Sequence, residues 1–250
     1  MVLGTCPLCQ TSGVELEKSH MMPAALYGKR NKDYELTTIN GSSMTQEQMR
    51  QPLLCGKCED RFDQNGESHV LKVIAPKAGK RFPLADRMSV AFPRDFDGQL
   101  CRFYAPDFDI DVVQFTYFAV SVVWRATQTQ WMMPDGTMTQ KQELGAFQEN
   151  MRRYLTGETF FPSDMGVIVI VSSDEESRRR FFHPAGFVEG RCINFRFVAR
   201  GICFRVMMGY QMWPALREAS CTSPLRPIWF GNCEKQLERC KVITKRQDAA

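Results

Sequence analysis

Two cysteine pairs constrain this chain more than any other feature of its sequence. Cys6-Pro7-Leu8-Cys9 and Cys55-Gly56-Lys57-Cys58 are both C-x-x-C motifs, and 45 residues lie between them. Four thiolates can surround Zn²⁺ as a tetrahedron, and a two-residue spacer lets one tight turn supply two adjacent ligands. A redox dithiol would need one such pair rather than two. The spacing therefore predicts a structural zinc site formed by Cys6, Cys9, Cys55 and Cys58.

The composition is that of a globular protein. The 250 residues are 44% hydrophobic and 24% charged, and a chain of this length can bury a core without depending on metal throughout. The opening stretch has no apolar core of the kind a secretory signal requires. The longest apolar stretch, residues 115–124, is about half of the roughly 20 residues that a membrane-spanning helix needs. These observations predict a cytoplasmic protein with no membrane partner.

The hydrophobic pattern predicts an α+β protein in two parts. Residues 1–75 hold both cysteine pairs and form the first part, and residues 76–250 form an α+β domain. Helices are expected over about 109–158, one capped by Asp109 or Asp111 and a second over 139–155 that stops at Gly157. Residues 76–108 contain four prolines, which favours irregular structure or short strands.

An antiparallel β region is expected over about 166–208, followed by an irregular C-terminal segment from residue 213. The run GVIVIVSS suits a buried strand, and residues 191–209 read as a hairpin turning at Arg200-Gly201. In this hairpin one face is apolar and the other is basic. A final polar stretch at the C-terminus is expected to be a short, frayed helix.

The basic charge is concentrated at the C-terminal end. Residues 176–250 carry 14 basic and 6 acidic side chains, a net +8 within a chain whose total is +4. Arg196 and Arg205, on the basic face of the hairpin, are therefore candidates for contacting the phosphates of DNA or RNA. The alternative is that these arginines form a solvated face of the sheet, because charge alone does not show where a side chain points.

Further motifs surround the cysteine pairs and carry a resemblance to a known family. The segments CPLC at 6–9, LEKSHMMPAAL at 16–26 and LLCGKCEDRF at 53–62 resemble the HNH-endonuclease-like treble-clef proteins, in particular a bacterial subgroup with a Ser-His-x-x-Pro motif. Residues 123–126 and 149–155 also resemble the downstream part of that subgroup. The match covers about two thirds of the chain, and its specific motifs lie within residues 1–70.

The resemblance implies an N-terminal treble-clef zinc finger with a ββα-metal arrangement and a catalytic histidine. His20 matches the histidine that deprotonates a water in the family's Asp-His-x-x-Pro pattern, and Pro23 matches its proline. Ser19 stands where the family has a metal-binding residue. Glu59 takes the place of the histidine after the second C-x-x-C and could bind Mg²⁺ or Mn²⁺ through oxygen. The candidate helpers for Glu59 are Glu67, Asp60 and Asn65.

Each of these residues also has a structural interpretation. His20 could support the zinc knuckle or supply a zinc ligand, and Glu59 could simply sit favourably at a helix N-terminus. Glu67 is expected to follow a helix end at Gly66. Arg125 is expected to hydrogen-bond carbonyl groups or a carboxylate at a helix end, with a phosphate contact as the alternative.

Two functions follow from the resemblance and from the positions where this chain differs from the family pattern. The first is a metal-dependent HNH-like endonuclease that hydrolyses phosphodiester bonds of DNA or RNA and contains a structural zinc. The second is a catalytically inactive, zinc-stabilised module that binds nucleic acid or a protein partner.

Overall fold

The computed structural model describes residues 2–27, 48–74, 82–133, 136–209, 212 and 214–232. It describes only the backbone of residues 34–38, 41–45, 178 and 179. Within these residues the chain is mixed α+β, as the sequence predicts. The predicted C-terminal polar helix lies outside the described residues.

A small sheet carries the first cysteine pair. Its strand order is β1-β2-β5, and both neighbouring pairs are antiparallel. The strands are β1 (Val2–Gly4), β2 (Val14–His20) and β5 (Arg50–Leu54). Cys6 and Cys9 lie in the turn between β1 and β2, and β5 leads directly into the second cysteine pair.

A continuous helical segment follows the small sheet. It consists of α1 (Gly56–Phe62), one π-helical turn (Asp63–Glu67) and α2 (Ser68–Ile74). The backbone stays helical through both junctions, so the expected helix end at Gly66 is wrong. Gly66 is instead a point of close approach, since a Cβ there would lie 2.9 Å from the backbone nitrogen of Phe118.

This packing makes Gly66 a sensitive position. We expect Gly66→Ala to reduce the free energy of unfolding by about 1–3 kcal/mol, because the added methyl group meets backbone atoms of a neighbouring helix that cannot rotate away. Gly56→Ala, in the same helical segment, is the matched control, since its Cβ would meet only the Glu17 carboxylate at 3.8 Å. Equal stability of the two variants in denaturant titrations would contradict this interpretation.

A nine-stranded sheet forms most of the remaining structure. Its order is β4-β3-β9-β10-β11-β8-β12-β7-β6, with parallel pairing only at β3–β9 and β12–β8. The strands are β3 (Tyr34–Thr38), β4 (Gly41–Thr45), β6 (Asp95–Asp97), β7 (Leu100–Tyr104), β8 (Met165–Ser172), β9 (Arg180–Glu189), β10 (Cys192–Ala199), β11 (Ile202–Met208) and β12 (Pro227–Gly231). The predicted antiparallel region over 166–208 and the hairpin at Arg200-Gly201 are confirmed.

Helix α4 (Val112–Thr127) packs across one face of the large sheet. Asp111 caps it by accepting hydrogen bonds from the amides of Val113 and Gln114, as the sequence predicts. Thirteen of its 16 residues are buried, and Phe118 packs against Phe204 of β11 with ring centroids 5.4 Å apart. Burial on most sides explains why the apolar residues of α4 surround its axis.

Three other expectations for the second part need correction. Helix α5 (Phe147–Thr156) is shorter than predicted, because Gly145 adopts a φ of 55° and Gln142 instead hydrogen-bonds the amide of Gly186 in β9. Residues 76–108 include a helix, α3 (Pro83–Val90), besides the short strands β6 and β7. The expected irregular C-terminal segment contains α6 (Pro214–Ala219) and the fully buried strand β12.

The division at residue 75 stays a prediction. Strand β3, from the first 75 residues, pairs in parallel with β9 of the large sheet. Residues from both parts also belong to one continuous hydrophobic core, for example Phe62 and Phe118.

Candidate metal centre and the residues beside it

The four cysteines form a compact cluster. Their Sγ atoms all lie within 4.8 Å of one another, and the sulfurs of Cys9 and Cys55 are 3.8 Å apart. Sulfurs in a tetrahedron with zinc–sulfur bonds of about 2.3 Å are about 3.8 Å apart. The cluster is therefore compatible with a structural zinc site, as the spacing of the two motifs predicts.

Local backbone geometry places these thiols. The amide of Cys58 donates to the carbonyl of Cys55 at 2.9 Å, which closes the first turn of α1 around the second pair. The amide of Cys55 donates to Sγ of Cys6 at 3.5 Å. A hydrogen bond from the Cys58 thiol, with help from such amides, lowers the pKa of Cys6 to about 4, although burial opposes this shift. Because Cys58 supplies that hydrogen bond, and because burial disfavours a second charge, the pKa values of Cys55 and Cys58 are raised.

Ser19 and Glu59 connect the small sheet to helix α1. Ser19 is buried, and its hydroxyl donates to Oε1 of Glu59. Oγ of Ser19 in turn accepts a hydrogen bond from the amide of Leu54 at 3.1 Å. Glu59 lies in the first turn of α1. One hydroxyl group therefore contacts β2, β5 and α1, and it fixes the Glu59 carboxylate beside the end of β2.

His20, the last residue of β2, is half-buried and lies near the same carboxylate. Burial and the positive charges of Arg50 and Arg125 keep the pKa of His20 below its ordinary value, although Glu59 and a hydrogen bond with Gln48 oppose the shift. His20 is therefore neutral at neutral pH and can accept a proton. The cysteine cluster does not include it, so the alternative of His20 as a zinc ligand is not supported.

Arg125, near the C-terminal end of α4, holds this region together. Its guanidinium donates to the carbonyl oxygen of His20 at 2.5 Å and to Oε1 of Glu67 at 2.6 Å. It also lies 4.9 Å from the centre of the Phe62 ring. The predicted bonding of Arg125 to carbonyl and carboxylate groups is confirmed, and Glu67 is used in this ion pair.

The helpers expected for Glu59 do not gather around it. Within the described ranges, the four cysteines are the only group of three or more metal-binding side chains close enough to share an ion. Asn65 bonds the carbonyl of Arg61, and Asp60 is exposed. Binding of Mg²⁺ or Mn²⁺ at Glu59 stays a prediction.

The two arginines of the hairpin lie inside the sheet structure. Arg196 is only 4% exposed, and Arg205 is paired with Glu189 and Asn194. Both guanidinium groups contact the ring of Phe187. The face that the sequence presents as basic is therefore largely buried, and it also carries a second apolar cluster. A role of these arginines in binding nucleic acid stays a prediction, which their burial disfavours.

Two neighbours of His20 carried no signal in the sequence. Arg50 pairs directly with His20 across the β2–β5 ladder, and Gln48 hydrogen-bonds its ring. Both belong to a stretch without a motif, so only the strand register reveals them.

Comparison of the chain with protein-family models, curated proteins and solved structures found no match. In the described part of the chain, no helix combines the length and the apolar character needed to cross a membrane.

Proposed function

We propose that the chain is an HNH-like endonuclease whose first 75 residues form a treble clef around a structural zinc ion. The order of the elements supports this proposal: a hairpin bearing Cys6 and Cys9, then a strand, then a helix that starts at Cys55 and contains Cys58. This is the order of knuckle, strand and helix that the sequence resemblance implies. This fold would hold the residues beside the cysteine cluster in fixed positions.

The observation that carries the proposal is that His20 follows Ser19, whose hydroxyl bonds Glu59, and that the charge of Glu59 acts on the His20 ring. His20 and Glu59 come from β2 and α1, the elements that the four cysteines join. A neutral imidazole close to a carboxylate, on elements tied together by one cluster, is an arrangement suited to general-base chemistry.

In the proposed reaction the ring of His20 takes a proton from a water molecule. The water oxygen attacks phosphorus, and the bond from phosphorus to the leaving sugar oxygen breaks with its electron pair. Arg125 holds the backbone carbonyl of His20, which keeps the imidazole in place. Ser19 orients the carboxylate of Glu59 by donating a hydrogen bond to it.

Glu59 is the residue that would hold a divalent cation, whose chemistry is to offset negative charge on the phosphate and the leaving oxygen. Its donor atoms are oxygens, which suit Mg²⁺ and Mn²⁺. Magnesium is commonly held by one or two carboxylates together with substrate phosphates and water. A single carboxylate beside His20 therefore fits a cation that arrives with the substrate.

The test is His20→Ala in the full-length, zinc-loaded protein. We expect the wild type to cleave single- or double-stranded DNA or RNA with Mg²⁺ or Mn²⁺ present, and His20→Ala to lower the rate by about 10²–10⁴-fold, the typical contribution of a general base. Glu59→Gln should weaken the dependence of the rate on the divalent cation. Zinc content and circular dichroism should not change.

His69→Ala is the matched control, since His69 lies on α2 and accepts the amide of Asp111 rather than facing Glu59. This variant should retain cleavage at temperatures where it is folded. If the wild type cleaves no nucleic acid with any divalent cation, the nuclease proposal fails. If His20→Ala loses zinc or unfolds, His20 has a structural role.

A second candidate is a zinc-stabilised binding module without hydrolysis. The bond between Ser19 and Glu59 favours it, because the carboxylate that would bind the cation is already engaged by a hydroxyl group. This module would bind nucleic acid or protein. Nucleic-acid binding without cleavage in the experiment above would support it.

A further inference from the structure

An open cleft has none of the four clustered cysteines in its lining. It has a volume of about 450 Å³ and is formed by the C-terminal half of α5, the loop of residues 159–164 and helix α6. This is within the range of about 300–1,000 Å³ that small-ligand sites commonly occupy. Its lining includes Asn150, Arg153, Phe160, Asp164 and Arg217.

Phe160 is the unusual residue of this cleft. Its side chain is 97% exposed, whereas the next residue, Phe161, packs edge-on against Tyr154 with ring centroids 5.4 Å apart. The amide of Thr159 also donates to the carbonyl of Arg153 at 3.2 Å. The backbone is thus anchored on both sides of Phe160, whose ring lines the cleft and is almost fully exposed to solvent.

The cleft has two cationic side chains, which differ in their partners. Arg217 is exposed and makes no ion pair within the described ranges. Arg153 forms an ion pair with Glu158 at 3.6 Å, and Arg152 binds the same carboxylate through two hydrogen bonds of 3.1 and 3.2 Å. The charged side chains that line the cleft are Arg153, Arg217 and Asp164, and Arg217 is the cationic one without an ion pair among the described residues.

We infer that this cleft binds single-stranded nucleic acid, with a phosphate group at Arg153 and Arg217 and an unpaired base stacked on Phe160. An exposed aromatic ring next to cationic side chains is the combination by which proteins hold single strands. A duplex offers no base face to such a ring, since its bases are already stacked on one another. The choice of nucleic acid as the ligand rests on the proposed function. The cleft adds that the nucleic acid is single-stranded.

The test measures binding separately from cleavage. A fluorescein-labelled 12-nucleotide oligothymidylate is titrated with zinc-loaded His20→Ala protein in buffer without Mg²⁺ or Mn²⁺, and fluorescence anisotropy gives the Kd. Adding Phe160→Ala should raise the Kd about tenfold, as expected for loss of one stacked base. Phe96→Ala is the matched control, because Phe96 of β6 is also an exposed aromatic residue, at 67%, and it does not line this cleft.

Salt dependence tests the arginines. Arg217→Ala should reduce the slope of log K against log salt by about 0.7, the value for one phosphate contact with a single strand. Arg87→Ala, which removes an arginine already paired with Asp109, should leave this slope unchanged. The duplex of the same oligonucleotide should bind more weakly and should not respond to Phe160→Ala.

Equal effects of Phe160→Ala and Phe96→Ala would overturn the inference. Absence of oligothymidylate binding would overturn it as well. Failure of the nuclease proposal has a different signature. A wild type that binds through Phe160 but cleaves nothing leaves the cleft inference standing. A wild type that cleaves, with binding indifferent to Phe160, leaves only the nuclease proposal.

Discussion

Replacing Cys55 with serine is expected to release the metal and to unfold the segment around the cluster. Cys55 lies at the junction of β5 and α1, and its amide also donates to Sγ of Cys6, so its loss removes a ligand at the point where the two elements meet. Zinc binding to isolated finger peptides has apparent free energies of about 10–16 kcal/mol. No other single change described for this chain should have a larger effect.

Zinc content by elemental analysis and the protection of amides in residues 2–74 against hydrogen exchange would measure this effect. Wild-type protein should contain one zinc per chain. Cys101→Ser is the matched control, because Cys101 lies in β7, outside the cluster, and this variant should retain its zinc. A metal-free wild type with unchanged stability and protection would contradict the assignment.

Arg125→Met is expected to reduce the free energy of unfolding by about 3–5 kcal/mol, the usual loss when one member of a buried ion pair is removed. The side chains of Arg125 and Glu67 are 1% and 13% exposed, so the change leaves Glu67 without its counter-charge. Arg87→Met is the matched control. Its ion pair with Asp109 is largely exposed, and the loss there should stay below about 1 kcal/mol.

The Arg125→Met deficit should depend on pH. Burial already raises the pKa of Glu67 above its ordinary value, and Arg125 opposes that rise. Without Arg125 the folded state keeps the proton to a higher pH than the unfolded chain does. Stability of the variant relative to wild type should therefore fall as the pH rises above about 4.5, where the unfolded carboxyl group ionises.

Adding Glu67→Gln to Arg125→Met removes the uncompensated charge. The double variant should therefore recover part of the lost stability at neutral pH, and its pH dependence relative to wild type should be smaller. Chemical denaturation at pH 5 and pH 7 measures both quantities. A deficit that is the same at both pH values would indicate that Arg125 acts through packing against Phe62 rather than through charge.

The sequence predicts those elements whose signals are local. The spacing of each cysteine pair is set within one turn, Asp111 caps the helix next to it, and the hairpin turns within two residues at Arg200-Gly201. In each case the residues that determine the structure are adjacent in the chain. Predicting these local features requires no contact with residues far away in the sequence.

Strand β12 and the π-helical turn depend on distant partners. Pro227 begins β12 and suggests irregular structure, but the strand is completed by β7 and β8, which lie far away in the sequence. Gly66 resembles a helix stop until α4 is packed against it. The sequence pattern at each position is ambiguous, and tertiary contacts resolve it.

The sequence also did not show whether the arginine side chains of the hairpin face solvent. Arg196 and Arg205 alternate with apolar residues, which is the pattern of a strand with one solvated face. The structure buries both faces of that region, and Phe187 with Glu189 accommodates the guanidinium groups. Alternation identifies which residues share a face, but it does not show whether that face is covered.

The place of β12 in the large sheet has a consequence for the order of assembly. Strands β6 and β7 reach the remainder of that sheet only through β12, which lies between β7 and β8. During synthesis, residues 95–104 leave the ribosome more than 120 residues before the strand that receives them. Strands β6 and β7 can join the sheet only after β12 has been made. Pairing between strands far apart in the sequence is intrinsically slow. Until β12 is in place, the edge of β7 that it will occupy is unpaired, and an unpaired strand edge can pair with another chain.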